Sequence, residues 1–386
     1  MFEQKEKKVE YLELIYDLIF VYIIGRNNSL LHHIENGFVQ PQAFFSYVLC
    51  TLAIIQVWNF TTFYINMFGR NGLREHIFLF INMYLLYFIG ESTRMEWYSY
   101  QAQYHIAWGL ILVNIGIQYF IELRNHRMDV WNQEIIKRMS ITLFAEAFIV
   151  FLAAIPVPAF STVFSTLAIL TGITLTALSR KNSVGGQTDF MHLTERAMLY
   201  VVFTFGEMII AVSGYFSGNG TWSWNTIYFS LMGFLIVVGL FLSYGVVYDH
   251  LINREGNYDG MMYLAIHIFI IFAMNNITVS LEFMREEEIL LIPKILFLVC
   301  SIVGYFLFLF ALKGYVKFNC VPDKKFYVKM IGITALFIIL MIVLREFMYS
   351  NILLTVIYVF GVFLVLHRAG RDTQLKEGEE KDESEQ

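Results

Sequence analysis

The sequence has few charged residues, since only 15% of its 386 residues are Asp, Glu, Lys or Arg. A soluble globular chain carries roughly 25%. Apolar residues make up 57% of the chain, more than a core of this size can hide, so some of them must face lipid. This balance excludes an ordinary soluble protein and predicts an integral membrane protein.

Cysteine is equally scarce, and the three that occur show neither paired nor C-x-x-C spacing. They are Cys50, Cys300 and Cys320. Their positions exclude a disulfide framework and a zinc site built on thiolates. We expect no metal and no cofactor.

Motifs of catalysis and nucleotide binding are also missing. The chain has no H-E-x-x-H, no G-x-S-x-G, no Walker sequence and no intramembrane protease pair of aspartate motifs. Asp259-Gly260 stands in a predicted loop without a second aspartate motif. We therefore expect no enzyme activity and no nucleic-acid partner.

What the sequence does contain is a series of long apolar runs. About 20 helical residues are needed to cross a hydrocarbon core about 30 Å thick. Twelve runs meet this length, which predicts an all-α protein of about twelve transmembrane helices. They cover residues 10–31, 42–66, 75–93, 103–122, 139–156, 159–179, 192–215, 224–248, 260–282, 290–313, 327–347 and 350–367.

The distribution of Lys and Arg orients these helices. With the N-terminus inside, 21 of the 27 cations fall in inside segments. The outside loops keep only Arg94, Arg285, Lys294 and Arg345. Because cytoplasmic loops of membrane proteins are enriched in Lys and Arg, both termini are predicted to be cytoplasmic. The acidic segment 371–386 has almost no apolar residues and is predicted to be a disordered cytoplasmic tail.

Two segments of the chain resemble each other at an offset of 191 positions. His76–Met83 reads H-I-F-L-F-I-N-M, and His267–Met274 reads H-I-F-I-I-F-A-M. The same Glu-x-x-Arg follows each at the predicted outer helix end, as Glu91 with Arg94 and Glu282 with Arg285. This predicts two parallel six-helix repeats, 1–186 and 187–370, a plan that some transporters use.

Several ionisable residues fall inside the predicted spans. Glu13 and Asp17 are four apart and share one helix face. The seventh span carries Glu195-Arg196 and, after an apolar run, Glu207. A charge in a span is costly and normally faces the helix bundle with a partner.

Structural interpretations of these charges remain open. Glu13, Asp17 and Glu195 could lie at the inner interface within reach of water. Glu207 and Arg26 could form a buried ion pair that only fixes register. The outer Glu-x-x-Arg pairs could be interfacial salt bridges. The functional hypothesis is a polar path between the halves, formed by Glu13, Asp17, Glu195, Arg196, Glu207, Arg26 and His267.

Two motifs resemble a known family. Leu12–Val21 reads L-E-L-I-Y-D-L-I-F-V and resembles the E-L-F-F-D-L-x-F-V opening of the bacterial low temperature requirement A (LtrA) family. His192–Arg196 with the later Gly206-Glu207 resembles its E-R…L-G-E motif, and Tyr248-Asp249 resembles a third landmark. Ile15-Tyr16 and Met208 depart from the pattern, which puts a specific ligand in doubt.

The resemblance covers residues 8–370 and implies a multi-pass protein of the bacterial plasma membrane linked to growth in the cold. It implies no molecular activity. Two hypotheses stand: a proton-linked secondary transporter of an unidentified solute or lipid component, or a sensor or scaffold that responds to the state of the bilayer. Besides lipid, the transporter hypothesis implies a small solute or lipid and protons as partners, and the oligomeric state is left open.

Overall fold

A computed structural model describes residues 7–93, 97–124, 130–180, 188–214, 223–256, 258, 260–317 and 324–384. These residues are almost entirely helical. The α-helices are α1 (Tyr11–Asn27), α2 (Pro41–Phe68), α3 (Leu73–Ser92), α4 (Trp97–Glu122), α5 (Val130–Ala153), α6 (Pro158–Arg180), α7 (Phe190–Ser213), α8 (Trp224–Val246), α9 (Gly260–Phe283), α10 (Leu291–Ala311), α11 (Lys324–Val343) and α12 (Met348–Ser384).

Short irregular elements join or extend some helices. A 3₁₀ turn (Asn28–His32) follows α1 and leads into a hairpin of β1 (Ile34–Glu35) and β2 (Phe38–Val39). A π-helical turn (Val247–Leu251) extends α8, and a 3₁₀ turn (Leu312–Tyr315) extends α10.

Each predicted apolar run coincides with one helix, because a run of apolar residues in lipid must satisfy its backbone groups internally. Eight of the described helices are long and apolar enough to cross a membrane: α2, α4, and α7 to α12. The other four are shorter or are interrupted by charges, as α1 is by Glu13 and Asp17. A multi-pass membrane architecture follows, while twelve crossings stay a prediction.

The end of the chain differs from its prediction. Helix α12 continues to Ser384, through the segment predicted to be disordered. Glu, Lys and Gln, which dominate this segment, are strong helix formers. Extension of an existing helix avoids the cost of nucleation, so low hydrophobicity does not by itself end the helix.

The chain divides into two compact units whose boundaries differ from the predicted halves. Unit 1 comprises Met1–Tyr200 and Asp259–Ile268, and unit 2 comprises Val201–Tyr258 and Phe269–Gln386. The first part of α7 therefore belongs with α1 to α6. The ion pairs that it makes with α1 account for this assignment. The internal repeat stays a prediction.

Unit 1 is held together by aromatic residues and by close helix approaches. Trp58, Trp108 and Tyr119 are fully buried. Helices α4 and α5 pack so tightly that a Cβ on Gly116 would lie 3.1 Å from the Phe144 ring. Small residues at such crossings allow close packing where lipid gives no hydrophobic drive between helices.

Unit 2 shows the same principle on α8 and α12. A Cβ on Gly239 would lie 2.6 Å from Val359, and Phe337 of α11 stacks on Tyr358 of α12 at 4.1 Å. The loops after α8 and α10 pair through a bridge between Ile252 and Val316. Outward-facing side chains of α11 are strongly exposed and apolar, as a lipid-facing helix requires.

Candidate functional site

Helix α1 carries two carboxylates into the interior of unit 1. Glu13 and Asp17 lie one turn apart and are 3% and 0% exposed. The opposite face of α1 is apolar and exposed at Ile15 and Leu18. The helix therefore turns its acidic face inward, as expected for charges in a membrane environment.

Arg196 of α7 binds both carboxylates. Its Nη2 lies 2.5 Å from Asp17 Oδ1 and its Nε lies 3.2 Å from Asp17 Oδ2, so the guanidinium grips Asp17 with two parallel hydrogen bonds. Its Nη1 donates to Glu13 Oε2. All three side chains are buried. This geometry suits arginine, whose planar fork matches a carboxylate.

Asp17 has a further partner on α2. The indole Nε1 of Trp58 donates to Asp17 Oδ1 at 2.8 Å. The Tyr200 ring of α7 packs against Trp58 with the ring centroids 4.4 Å apart. Asp17 thus accepts three hydrogen bonds in a dry environment and is fixed in position.

Glu13 is held differently, with a histidine beside it. His192 Nε2 lies 3.5 Å from Glu13 Oε2, an ion-pair separation rather than a firm hydrogen bond. Asn66 Nδ2 donates to His192 Nδ1 at 3.0 Å, which leaves the proton of a neutral imidazole on Nε2, facing Glu13. The orientation of the Asn66 amide is set by the Asp189 backbone, which bonds both its oxygen and its nitrogen.

The segment before α1 is tied to the same place. The Lys7 ammonium donates to the carbonyls of Ile65 and Gly69 at the end of α2, where the helix dipole favours a cation. The Lys7 backbone N–H donates to Asp189 Oδ2 at 3.2 Å. Burial lowers the pKa of Lys7, although the nearby Glu13 carboxylate opposes this.

A cleft of about 580 Å³ opens beside these groups. Its walls combine the segment before α1 with the end of α2 and the start of α3. Glu13 is part of its lining, whereas Asp17 and Arg196 are not. The lining residues are Lys7, Lys8, Glu10, Leu12, Glu13, Ile65, Gly69, Arg70, Asn71, Glu75, His76 and Leu79.

A second ion-pair group stands next to the cleft. Arg74 Nη2 lies 2.7 Å from Glu75 Oε1 and also donates to Glu122 of α4. Tyr64 donates to the same Glu122 carboxylate at 3.4 Å. The lining carries three cations, Lys7, Lys8 and Arg70, and three carboxylates, Glu10, Glu13 and Glu75, so the cleft presents charges of both signs.

The structure thus brings together three of the residues predicted for the polar path: Glu13, Asp17 and Arg196. Glu195, next to Arg196, is half-buried on α7, and within the described part of the chain no hydrogen bond or ion pair reaches it. Arg26 lies in the last turn of α1. His267 is fully buried in unit 1, where it contacts the Tyr263 carbonyl at 2.8 Å.

The other predicted residues are Glu207, Glu282 and Arg285 of unit 2, Glu91 of unit 1, and Arg94. Glu207 is half-buried on α7. It interacts electrostatically with Glu282 of α9, which also interacts with Arg285 and Glu286. Glu91 is half-buried at the end of α3. Its predicted partner Arg94 lies outside the described residues.

Sequence reasoning missed several members of the site. Trp58 contacts Asp17, His192 lies beside Glu13 and Asn66 orients His192, yet a Trp or Asn in an apolar helix carries no signal of its partner. His192 was part of the family motif but was given no role. Glu146 of α5 was missed too, although its place in the apolar stretch Phe144–Phe148 was a visible signal.

No metal centre is indicated in the described part of the chain. There, no group of three His, Cys, Asp or Glu side chains is arranged to hold an ion.

The comparisons with known proteins agree with the motifs on α1 and α7. The family model described as bacterial low temperature requirement A protein (LtrA) matches residues 8–366, nearly the whole chain. No curated protein and no solved structure matches the chain. The matched range contains every residue of the cluster and most of the cleft lining, and the chain belongs to the bacterial low temperature requirement A family.

Proposed function

We propose that this protein is a proton-linked secondary transporter of the bacterial plasma membrane, and that Glu13 and Arg196 are the exchanging pair of its transport cycle. The observation that supports this is the position of Glu13. Glu13 lines the cleft and at the same time accepts a hydrogen bond from the Nη1 group of the buried Arg196.

The two carboxylates have different tasks in this proposal. Asp17 holds Arg196 through two hydrogen bonds and is itself held by Trp58, so it positions the guanidinium. Glu13 is attached through one arm only and stands at the cleft wall. Protonation of Glu13 removes its charge and frees the Nη1 group of Arg196 to bind another anion.

The cleft indicates the class of solute. Lys7, Lys8 and Arg70 line it, and two of its three acids, Glu13 and Glu75, are bound by arginines. Cationic side chains in a cleft can bind an anion directly and raise its local concentration. We infer a small solute with a carboxylate or similar anionic group, which replaces protonated Glu13 on Arg196. Release of this proton on the other side of the membrane then couples solute transport to proton transport.

The experiment is cold growth of a deletion strain that carries wild-type protein, Glu13→Gln, Asp17→Asn or Glu195→Gln at matched membrane levels. We expect Glu13→Gln and Asp17→Asn to fail and Glu195→Gln to rescue growth. Glu195 is a matched control because it lies beside Arg196 but is outside the ion-pair cluster. Solute profiles of the same strains then narrow the substrate.

Full rescue by both Glu13→Gln and Asp17→Asn would contradict transport through this cluster. The charges would then serve packing alone, and the sensor or scaffold hypothesis would replace the transporter. A thermal unfolding curve of each purified variant separates loss of activity from loss of fold.

A further inference from the structure

One buried carboxyl group of unit 1 belongs neither to the Arg196 cluster nor to the Arg74 ion pairs. Glu146 of α5 is 0% exposed, and neither of its carboxyl oxygens has a hydrogen-bond partner among the described residues. An ionised carboxylate without partner or counter-charge is strongly disfavoured in a dry interior. The environment therefore requires a bound positive species or a neutral acid.

A polar side chain at the same place is in the same condition. Gln56 of α2 is 6% exposed, and both atoms of its amide lack a hydrogen-bond partner among the described residues. Both side chains converge on Gly172 of α6. A Cβ at this glycine would lie 2.1 Å from Gln56 Nε2 and 2.2 Å from Glu146 Oε2. Three helices thus leave space for one carboxyl and one amide.

The pairing chemistry of these two groups favours the protonated acid. A neutral carboxyl donates its O–H to the amide oxygen and accepts from the amide N–H, so both groups are satisfied at once. An ionised carboxylate can accept from the amide N–H but cannot donate, which leaves the amide oxygen of Gln56 without a partner. Rotation about the terminal torsions closes the pair, since these torsions are soft.

Within the described residues, Glu146 forms no ion pair. Helix α2 contains no Asp, Glu, Lys, Arg or His. On α4, His105 is engaged by Ser165 and Gln101, and Glu122 by Arg74. On α5, Arg138 pairs with Glu134 and lies eight residues away, about 12 Å along the helix, and Lys137 is one residue further away. Arg180, the one charged residue in the sequence of α6, is eight residues beyond Gly172.

We infer that Glu146 and Gln56 form an intramembrane proton-binding site, in which Glu146 holds a proton at neutral pH. This site is separate from the cluster on α1 and α7. The presence of the proton does not depend on the proposed function. Its release and uptake during transport would add a second proton-carrying group to the carrier, and this clause alone rests on that proposal.

The test is infrared spectroscopy of the full-length protein in lipid nanodiscs, with the carboxylic C=O band measured from pH 5 to pH 9. At pH 7 the wild type should show a protonated carboxyl band that is lost in Glu146→Gln. The band should persist in Glu134→Gln, a matched control on the exposed face of the same helix. Gln56→Leu, which keeps Glu146, should shift the band because the acid loses its partner.

Two results would overturn the inference. One is a spectrum at pH 7 in which Glu146→Gln and wild type have equal carboxylic bands. The other is loss of the band on adding sodium at constant pH, which would assign the site to a metal cation. Should Glu146→Gln not fold, the band shift in Gln56→Leu decides the question, and no shift there counts against the pair. None of these readouts depends on transport.

Discussion

At the scale of single residues, the decisive feature is the ratio of charges in the α1–α7 cluster. One buried guanidinium serves two buried carboxylates, with a histidine beside one of them. Removal of one partner from a buried ion pair typically costs about 3–5 kcal/mol, because the remaining charge stays buried and uncompensated. Loss of the arginine is therefore expected to lower the stability of the protein more than loss of either carboxylate.

We predict that Arg196→Ala lowers the free energy of unfolding by about 3–5 kcal/mol. Two carboxylates would remain in the interior without a cation. The measurement is thermal or denaturant unfolding of the purified protein in detergent. Arg138→Ala is the control, because its exposed ion pair with Glu134 is worth only about 0.3–0.5 kcal/mol.

Equal stability of Arg196→Ala and Arg138→Ala would show that the two carboxylates do not depend on Arg196 for their counter-charge. Recovery of stability in a triple variant that adds Glu13→Gln and Asp17→Asn would support the charge argument, since no buried charge then remains unpaired.

At the scale of helices, packing around glycines determines where polar side chains fit. Gly172 of α6 leaves the space into which Gln56 and Glu146 point. Gly206 of α7, in contrast, has no atom within 4 Å of the position of a Cβ. Both glycines lie in the interior of a helix, but only at Gly172 would an added Cβ meet neighbouring side chains.

We predict that Gly172→Ala destabilises the protein by about 1 kcal/mol, the low end of the cost of overpacking, because the atoms that it would meet are the ends of two flexible side chains. Gly206→Ala should leave stability unchanged or raise it by up to about 1 kcal/mol, because alanine is the better helix former. Unfolding curves of the two variants check this. A Gly172→Ala protein as stable as Gly206→Ala would mean that the side chains at this site rearrange freely.

The helices were predictable because apolar runs of span length have few alternative structures in lipid. The ends of α2 and α8 were placed within a few residues for this reason. The partners of the charges were not predictable, since the pairing of α1 with α7 joins residues 179 positions apart. The helical end of α12 was missed because composition measures burial and not helix propensity.

At the scale of the whole molecule, the orientation in the membrane rests on the distribution of Lys and Arg. The hairpin at Glu35 belongs to a predicted outside loop, and Glu255 belongs to a predicted inside loop. Both side chains are exposed in their own units. They are therefore matched positions for a test of orientation.

We predict that Glu35→Cys reacts with a membrane-impermeant thiol reagent in intact cells, and that Glu255→Cys reacts only after permeabilisation. The background carries replacements of Cys50, Cys300 and Cys320. The opposite labelling pattern would invert the molecule and place the cleft on the outer side. Labelling of both positions in intact cells would contradict the predicted number of membrane crossings between them.

The separation of Asp17 and Arg196 along the chain also bears on biogenesis. Arg196 follows Asp17 by 179 residues. At roughly 5–20 residues per second, the ribosome needs on the order of ten to thirty-five seconds to supply it. During this interval α1 has no counter-charge, so its carboxyls must enter the bilayer protonated or wait at the interface. The buried ion pairs of α1 can therefore form only after α7 has been synthesised.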